Sequence, residues 1–109
     1  MVQDSRLVAL AKARKTLDRI SQDLRMASQK TLVCGPNLLQ FSRLDPTGGP
    51  TVGIKYQRND TGTLTVGGEV LATGVADFMP TCPGGGLVRI AVGVNDGLSL
   101  VSQVRVQNP

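Results

Sequence analysis

Apolar side chains recur at steps of three and four over the first thirty positions, then alternate with polar ones at every second position for most of the remainder. Leu7, Leu10, Ala13, Leu17, Ile20, Leu24 and Ala27 fall on one stripe of an α-helix predicted over residues 4 to 29. Lys12, Lys15, Asp18, Arg19, Asp23 and Arg25 lie mainly off that stripe. A helix of this length is unstable alone in water, so the stripe needs a cover. The nearest is the β-rich region predicted over residues 31 to 108.

Within that region, Leu32 to Cys34 and Asn37 to Leu44 read as extended segments divided by Gly35-Pro36. Leu39 and Phe41 share one face, with Arg43 a candidate for the same side. Asp45 to Pro50 is a loop. Val52, Ile54 and Tyr56 alternate with Gly53, Lys55 and Gln57, and Arg58 to Gly62 turns the chain into Thr63 to Val66, which predicts a hairpin. Gly67-Gly68 breaks the run before Val70-Leu71, and Gly74 to Met79 is a further strand, ended by Pro80. Thr81 to Gly86 reads as a loop whose glycines permit positive φ. Leu87 to Val94 and Leu98 to Val106, joined at Asn95-Asp96-Gly97, predict a C-terminal hairpin. Together these pieces predict one α+β domain over 1–109, a long N-terminal amphipathic helix packed on a twisted antiparallel sheet.

Charge changes this picture by its distribution. The net charge of the 109-residue chain is +4, yet residues 1 to 30 carry seven basic and three acidic side chains, whereas residues 31 to 109 carry five of each. The excess belongs to the helical segment. Lys12, Arg14, Lys15, Arg19 and Arg25 are therefore candidates for contact with phosphate or with acidic patches of a partner, against the plainer reading of a solvated helix face. There is no run of about 18 apolar residues of the kind that spans a bilayer.

The chemistry available is narrow. With no histidine the chain has no His-centred triad, and Glu69 and seven scattered aspartates offer no paired acid and base. Gly84-Gly85-Gly86 lacks the Lys and Ser/Thr of a P-loop, and Asn95-Asp96-Gly97 lacks the spaced acids of a calcium loop. Asn59-Asp60-Thr61 matches a glycosylation sequon, a pattern short enough to arise by chance. Two cysteines without histidine cannot complete a zinc site. Only Phe41, Tyr56 and Phe78 are aromatic, too few for base stacking. The expectation is no enzyme, no metal and no cofactor. Cys34 and Cys82 either form a disulfide, adding about 4 kcal/mol in the chain-entropy model, or remain reduced thiols in a reducing compartment.

Read in order, Leu17-Asp18-Arg19-Ile20-Ser21-Gln22-Asp23-Leu24-Arg25-Met26-Ala27, the strand Ile54-Lys55-Tyr56, Val70 to Phe78 with Gly74-Val75-Ala76-Asp77-Phe78, and the ending Val104-Arg105-Val106-Gln107-Asn108 resemble the type IV pilin-like superfamily. Within it the chain is most similar to minor pilins and the J-type minor pseudopilins of type II secretion. The specificity lies in the order of these motifs, each weak alone. The resemblance implies a non-enzymatic structural subunit whose partners are other pilin or pseudopilin subunits in a pilus or secretion pseudopilus. It further implies an inner-membrane anchor helix truncated ahead of Met1 and exposure to the periplasm, in keeping with a Cys34–Cys82 disulfide. Two alternatives stay open: a pilus-associated module that binds DNA or another anionic ligand through the basic helix face, and a small cytoplasmic β-rich regulator with reduced thiols.

Overall fold

The computed structural model describes residues 5–43, 52–94 and 97–107; the predicted Asp45–Pro50 loop, the Asn95-Asp96 part of the last turn and the Leu7 side chain lie outside what is described. In chain order the elements are α1 (Ser5–Arg25), a 3₁₀ turn (Gln29–Thr31), β1 (Val33–Gly35), β2 (Leu38–Arg43), β3 (Val52–Arg58), β4 (Leu64–Val66), β5 (Glu69–Ala72), β6 (Val75–Gly84), β7 (Leu87–Val94) and β8 (Ser99–Arg105). All strand pairings are antiparallel, in two sheets of order β1-β2-β3-β4-β5 and β6-β7-β8.

This corrects the expected architecture of a long N-terminal helix on a single sheet. The protein is mostly sheet, the sheet is divided in two, and among the described residues there is no long N-terminal helix. The helix has 21 residues, the part seated on the sheets begins near Leu10, and it ends at Arg25, four residues short of the expected 29. Its end is set by β2. The Met26 and Ala27 amides bond the carbonyls of Asp23 and Leu24, each three residues back and each at 3.1 Å, which tightens the last turn. Ala27 then bridges Arg43, and the Ser28 amide bonds the Ser42 carbonyl at 3.0 Å, so main-chain groups that would extend the helix are taken by the sheet.

A second correction concerns Pro80, which does not end its strand. β6 continues through Pro80 and Pro83 to Gly84, across residues expected to form a loop. β6 is an edge strand, and the Phe78 carbonyl, two residues before Pro80, points away from β7 to accept the Asn37 amide at 3.0 Å. The N–H that proline lacks would lie on that same outer side, so no ladder bond is lost.

The two sheets meet where β1 and β6 lie side by side. Cys34 and Cys82 are bonded across this joint, their Cα atoms 5.8 Å apart. Asn37, with φ 60°, sits in the turn beside it, its carbonyl accepting the Arg58 amide at 3.0 Å while its amide reaches Phe78. The Arg58 Nε donates to the Val75 carbonyl at 2.6 Å, a further tie between β3 and β6. β5 and β8 are left as the outer strands, and α1 contacts both. The helix thus lies in the hollow of a curved, eight-strand wall. Ala13, Leu17, Ile20 and Leu24 are buried there against Leu39, Phe41, Tyr56 and Leu64 of one sheet and Phe78, Val88, Ile90 and Val92 of the other.

Candidate partner-binding surface

The end of α1 is fastened by a polar cluster. Asp23 stands in the last helical turn, where the macrodipole disfavours an acid, so its carboxylate calls for donors. Two arrive from neighbouring strands: the buried Tyr56 hydroxyl of β3 donates to Oδ2, and the Arg43 guanidinium of β2 donates to Oδ1 at 3.1 Å. Arg43 shares the face of Leu39 and Phe41, as strand alternation requires, and the Phe41 and Tyr56 rings stack with centroids 6.3 Å apart. Burial, reinforced by the bond to Asp23, holds the Tyr56 phenol above its ordinary pKa. Asp23 and Tyr56 belong to two of the motifs that carry the family resemblance, yet neither was expected at a site. The usable signal was the acid itself, placed against the helix dipole beside Ile20 and Leu24.

The five cations of the helix do not form one stripe. With about 3.6 residues per turn, Lys12, Lys15 and Arg19 lie along one flank, and Arg14, Ser21 and Arg25 along the other. Contacts agree with this division. Arg19 donates to Glu69 of β5 at 3.4 Å, and Ser21 meets Ser102 of β8 at 3.5 Å. Burial pulls the Arg19 guanidinium down, and the hydrogen bond and charge of Glu69 carry it above its usual value. Lys12, Arg14 and Lys15 are exposed and make no ion pair among the described residues.

Of the stripe, Ala13, Leu17, Ile20, Leu24 and Ala27 are buried and Leu10 is half-buried; Ala27 lies beyond the helix, in the bridge to β2. Along the β8 flank runs a groove of about 520 Å³, lined by Ser21, Arg25, Ser102, Gln103, Val104, Arg105 and Gln107. Apart from Val104 its lining side chains are polar, and the charged ones are Arg25 and Arg105. Among the described residues no three potential metal ligands converge, and no helix is long and apolar enough to cross a membrane.

One glycine is needed where the 3₁₀ turn and the segment after β8 meet the β6–β7 turn. Gly86, at φ 79° in the β6–β7 turn, accepts the Val106 amide at 2.7 Å, while the Gln29 side chain donates to the Val106 carbonyl at 2.7 Å. A Cβ on Gly86 would run into both groups.

Compared with protein-family models, with curated proteins and with solved structures, the chain matches none.

Proposed function

We propose that this chain is a non-enzymatic structural subunit, a minor pilin or pseudopilin that assembles into a type IV pilus or a type II secretion pseudopilus. The observation that carries this reading is the Asp23–Tyr56–Arg43 cluster: the helix motif and the Tyr-bearing strand, whose order along the chain makes the resemblance, are tied together through side chains. The reading does not depend on a long helix. A helix end fixed by directional bonds keeps its charged flanks in a set orientation, which is what a subunit needs to hold neighbours in register. The Cys34–Cys82 bond, linking the two sheets, suits the periplasmic side of the membrane, where disulfides persist. Its partners would be other pilin or pseudopilin subunits, met through Lys12 and Lys15 on one flank and Arg14 and Arg25 on the other.

Capture of purified minor subunits from the same host by the immobilised protein tests the proposal. Wild type is expected to retain at least one of them, and Lys12→Glu with Lys15→Glu to weaken retention at unchanged thermal stability. Retention of none would overturn the proposal.

A second reading, that the chain binds DNA or a comparable polyanion, is favoured by the exposed and unneutralised Lys12, Arg14 and Lys15. A gel shift with duplex DNA separates the two. Binding through these three cations would fall with salt at a slope of about three phosphates, and no shift at low salt removes this reading.

A further inference from the structure

We propose that the outer face of the three-stranded sheet, β6-β7-β8, packs on the same face of a second copy of this chain, about a two-fold axis lying along the row Met79–Ala91–Val101. The inference goes beyond the structural-subunit reading, which places neighbours on the flanks of α1. Phe78, Val88, Ile90 and Val92 are buried on the side of the helix, so strand alternation turns the odd-numbered positions away from it. Antiparallel register then lays three successive rows across the outer face: Asp77–Gly93–Ser99, Met79–Ala91–Val101 and Thr81–Arg89–Gln103.

The middle row is apolar. Of the large apolar side chains left exposed among the described residues, Val33 and Val70 stand on strands at opposite ends of the other sheet and Leu98 precedes β8. Met79 and Val101, 46% and 51% exposed, instead share one row, with the small Ala91 between them. An apolar strip bordered on both sides by polar rows has the composition of an interface centre with its rim.

Charge decides the occupant and the axis. Asp77 and Arg89 are exposed on opposite sides of the apolar row, four positions apart along β6 because Arg89 pairs with Thr81. Neither makes an ion pair or a side-chain hydrogen bond among the described residues. The Asp77 carboxylate leans over Gly93 of β7, where a Cβ would stand 3.2 Å from Oδ2, so the acid and the base both lie along the line of β7. Turning a second copy by half a revolution about the apolar row sets the Asp77 row of each copy on the Arg89 row of the other. Acid then meets base twice, Ser99 meets Gln103, and Met79 and Val101 meet their own counterparts. A two-fold axis along β7 would set Arg89 on Arg89, and like charges brought together are costly. Sheets stack face to face in this aligned manner. Arg105 lies one row further out, donates to the Gly85 carbonyl and takes no part. The patch is only three strands wide, so the association is weak.

Sedimentation equilibrium of the intact chain from about 10 μM to about 1 mM should show a reversible monomer–dimer equilibrium that salt weakens. Over the same dilution series the amide resonances of Met79, Ala91 and Val101 should shift while those of Lys12 and Lys15 hold still. Arg89→Asp alone sets acid on acid and Asp77→Arg alone sets base on base, so each should associate at least about tenfold more weakly than wild type at an unchanged unfolding midpoint. Mixed in equal amounts the two variants should pair with each other, since each supplies the charge that the other lacks. Monomer at the highest concentration, shifts confined to other residues, or a mixture no more associated than its components would each overturn the proposal, the first leaving the face to a partner of another kind. The wild-type shifts decide the matter even where a variant fails to fold. Subunit capture weakened at the Lys12 and Lys15 flank reports on the structural-subunit reading separately, so either idea can fail while the other stands.

Discussion

The two sheets hold the same helix by different means. On the five-stranded side directional contacts are added to burial against Leu39, Phe41 and Leu64: Tyr56 and Arg43 converge on Asp23, and Arg19 reaches Glu69. On the three-stranded side the helix rests on Val88, Ile90 and Val92, all fully buried, with Ser21···Ser102 at 3.5 Å as the polar contact from the helix. Apolar burial supplies most of the free energy but is tolerant of small rotations. Hydrogen bonds add less and specify more, because an unmet buried donor or acceptor costs about 1–3 kcal/mol. The polar contacts of the five-stranded side therefore set where the helix end points, and apolar burial, almost alone on the other side, keeps it down.

The joint between the sheets is the first place to break this division. Replacing Cys34 and Cys82 by serine opens a loop of sequence separation 48 and should lower stability by about 4 kcal/mol in urea unfolding, with faster amide exchange in β1 and β6. Ile90→Ala, a cavity on the apolar side, should cost about 3 kcal/mol in the same assay while leaving the Asp23 cluster formed. Tyr56→Phe removes one donor from Asp23 and keeps the ring, so the expected loss is about 1.5 kcal/mol. An effect of Tyr56→Phe larger than that of Ile90→Ala would reverse the assignment of roles.

Alkaline titration sharpens the comparison further. Tyr56 is the single tyrosine and the chain has no tryptophan, so tyrosinate absorbance reports on it alone. Because the folded phenol holds its proton above the ordinary pKa, through burial and then the bond to Asp23, the folded state keeps a proton that the unfolded chain releases. The associated stability is fully present below the ordinary phenol pKa and is lost as pH rises through the folded value. Ionisation should therefore come late in the native protein, revert to the ordinary range in urea, and shift partway back in Asp23→Asn. The smallest effect belongs to Arg19→Ala, whose ion pair is exposed on both sides: about 0.3 kcal/mol, at the edge of what thermal unfolding resolves.

Several elements could be read from the sequence because they depend on short-range pattern. The steps of three and four place Ala13, Leu17, Ile20 and Leu24 on a face that is buried, and alternation identifies the β3–β4 and β7–β8 hairpins. Arg43 was readable as a companion of Leu39 and Phe41, since a strand shows every second side chain on one face. Its partner was not, because Asp23 lies twenty positions earlier and no local rule links them. The same gap hid the split of the cations: the helical spacing of Lys12, Lys15 and Arg19 against Arg14 and Arg25 is present in the sequence, but which flank faces which strand follows from packing alone.

What the sequence determined by itself is periodicity and chemistry: a helix with one apolar face, a β-rich remainder with turns at its glycines, a basic N-terminal segment, and no histidine. What the tertiary structure decided is everything that depends on a distant partner for a main-chain or polar group. The helix stops at Arg25 because its last turn tightens and β2 takes the Ser28 amide, β6 runs through Pro80 because its outer edge needs no donor there, and the wall divides into two sheets joined by a cystine. The reason is the same in each case. Side-chain periodicity is local and leaves its mark in spacing, whereas a hydrogen-bonding group accepts whichever partner the fold brings within reach.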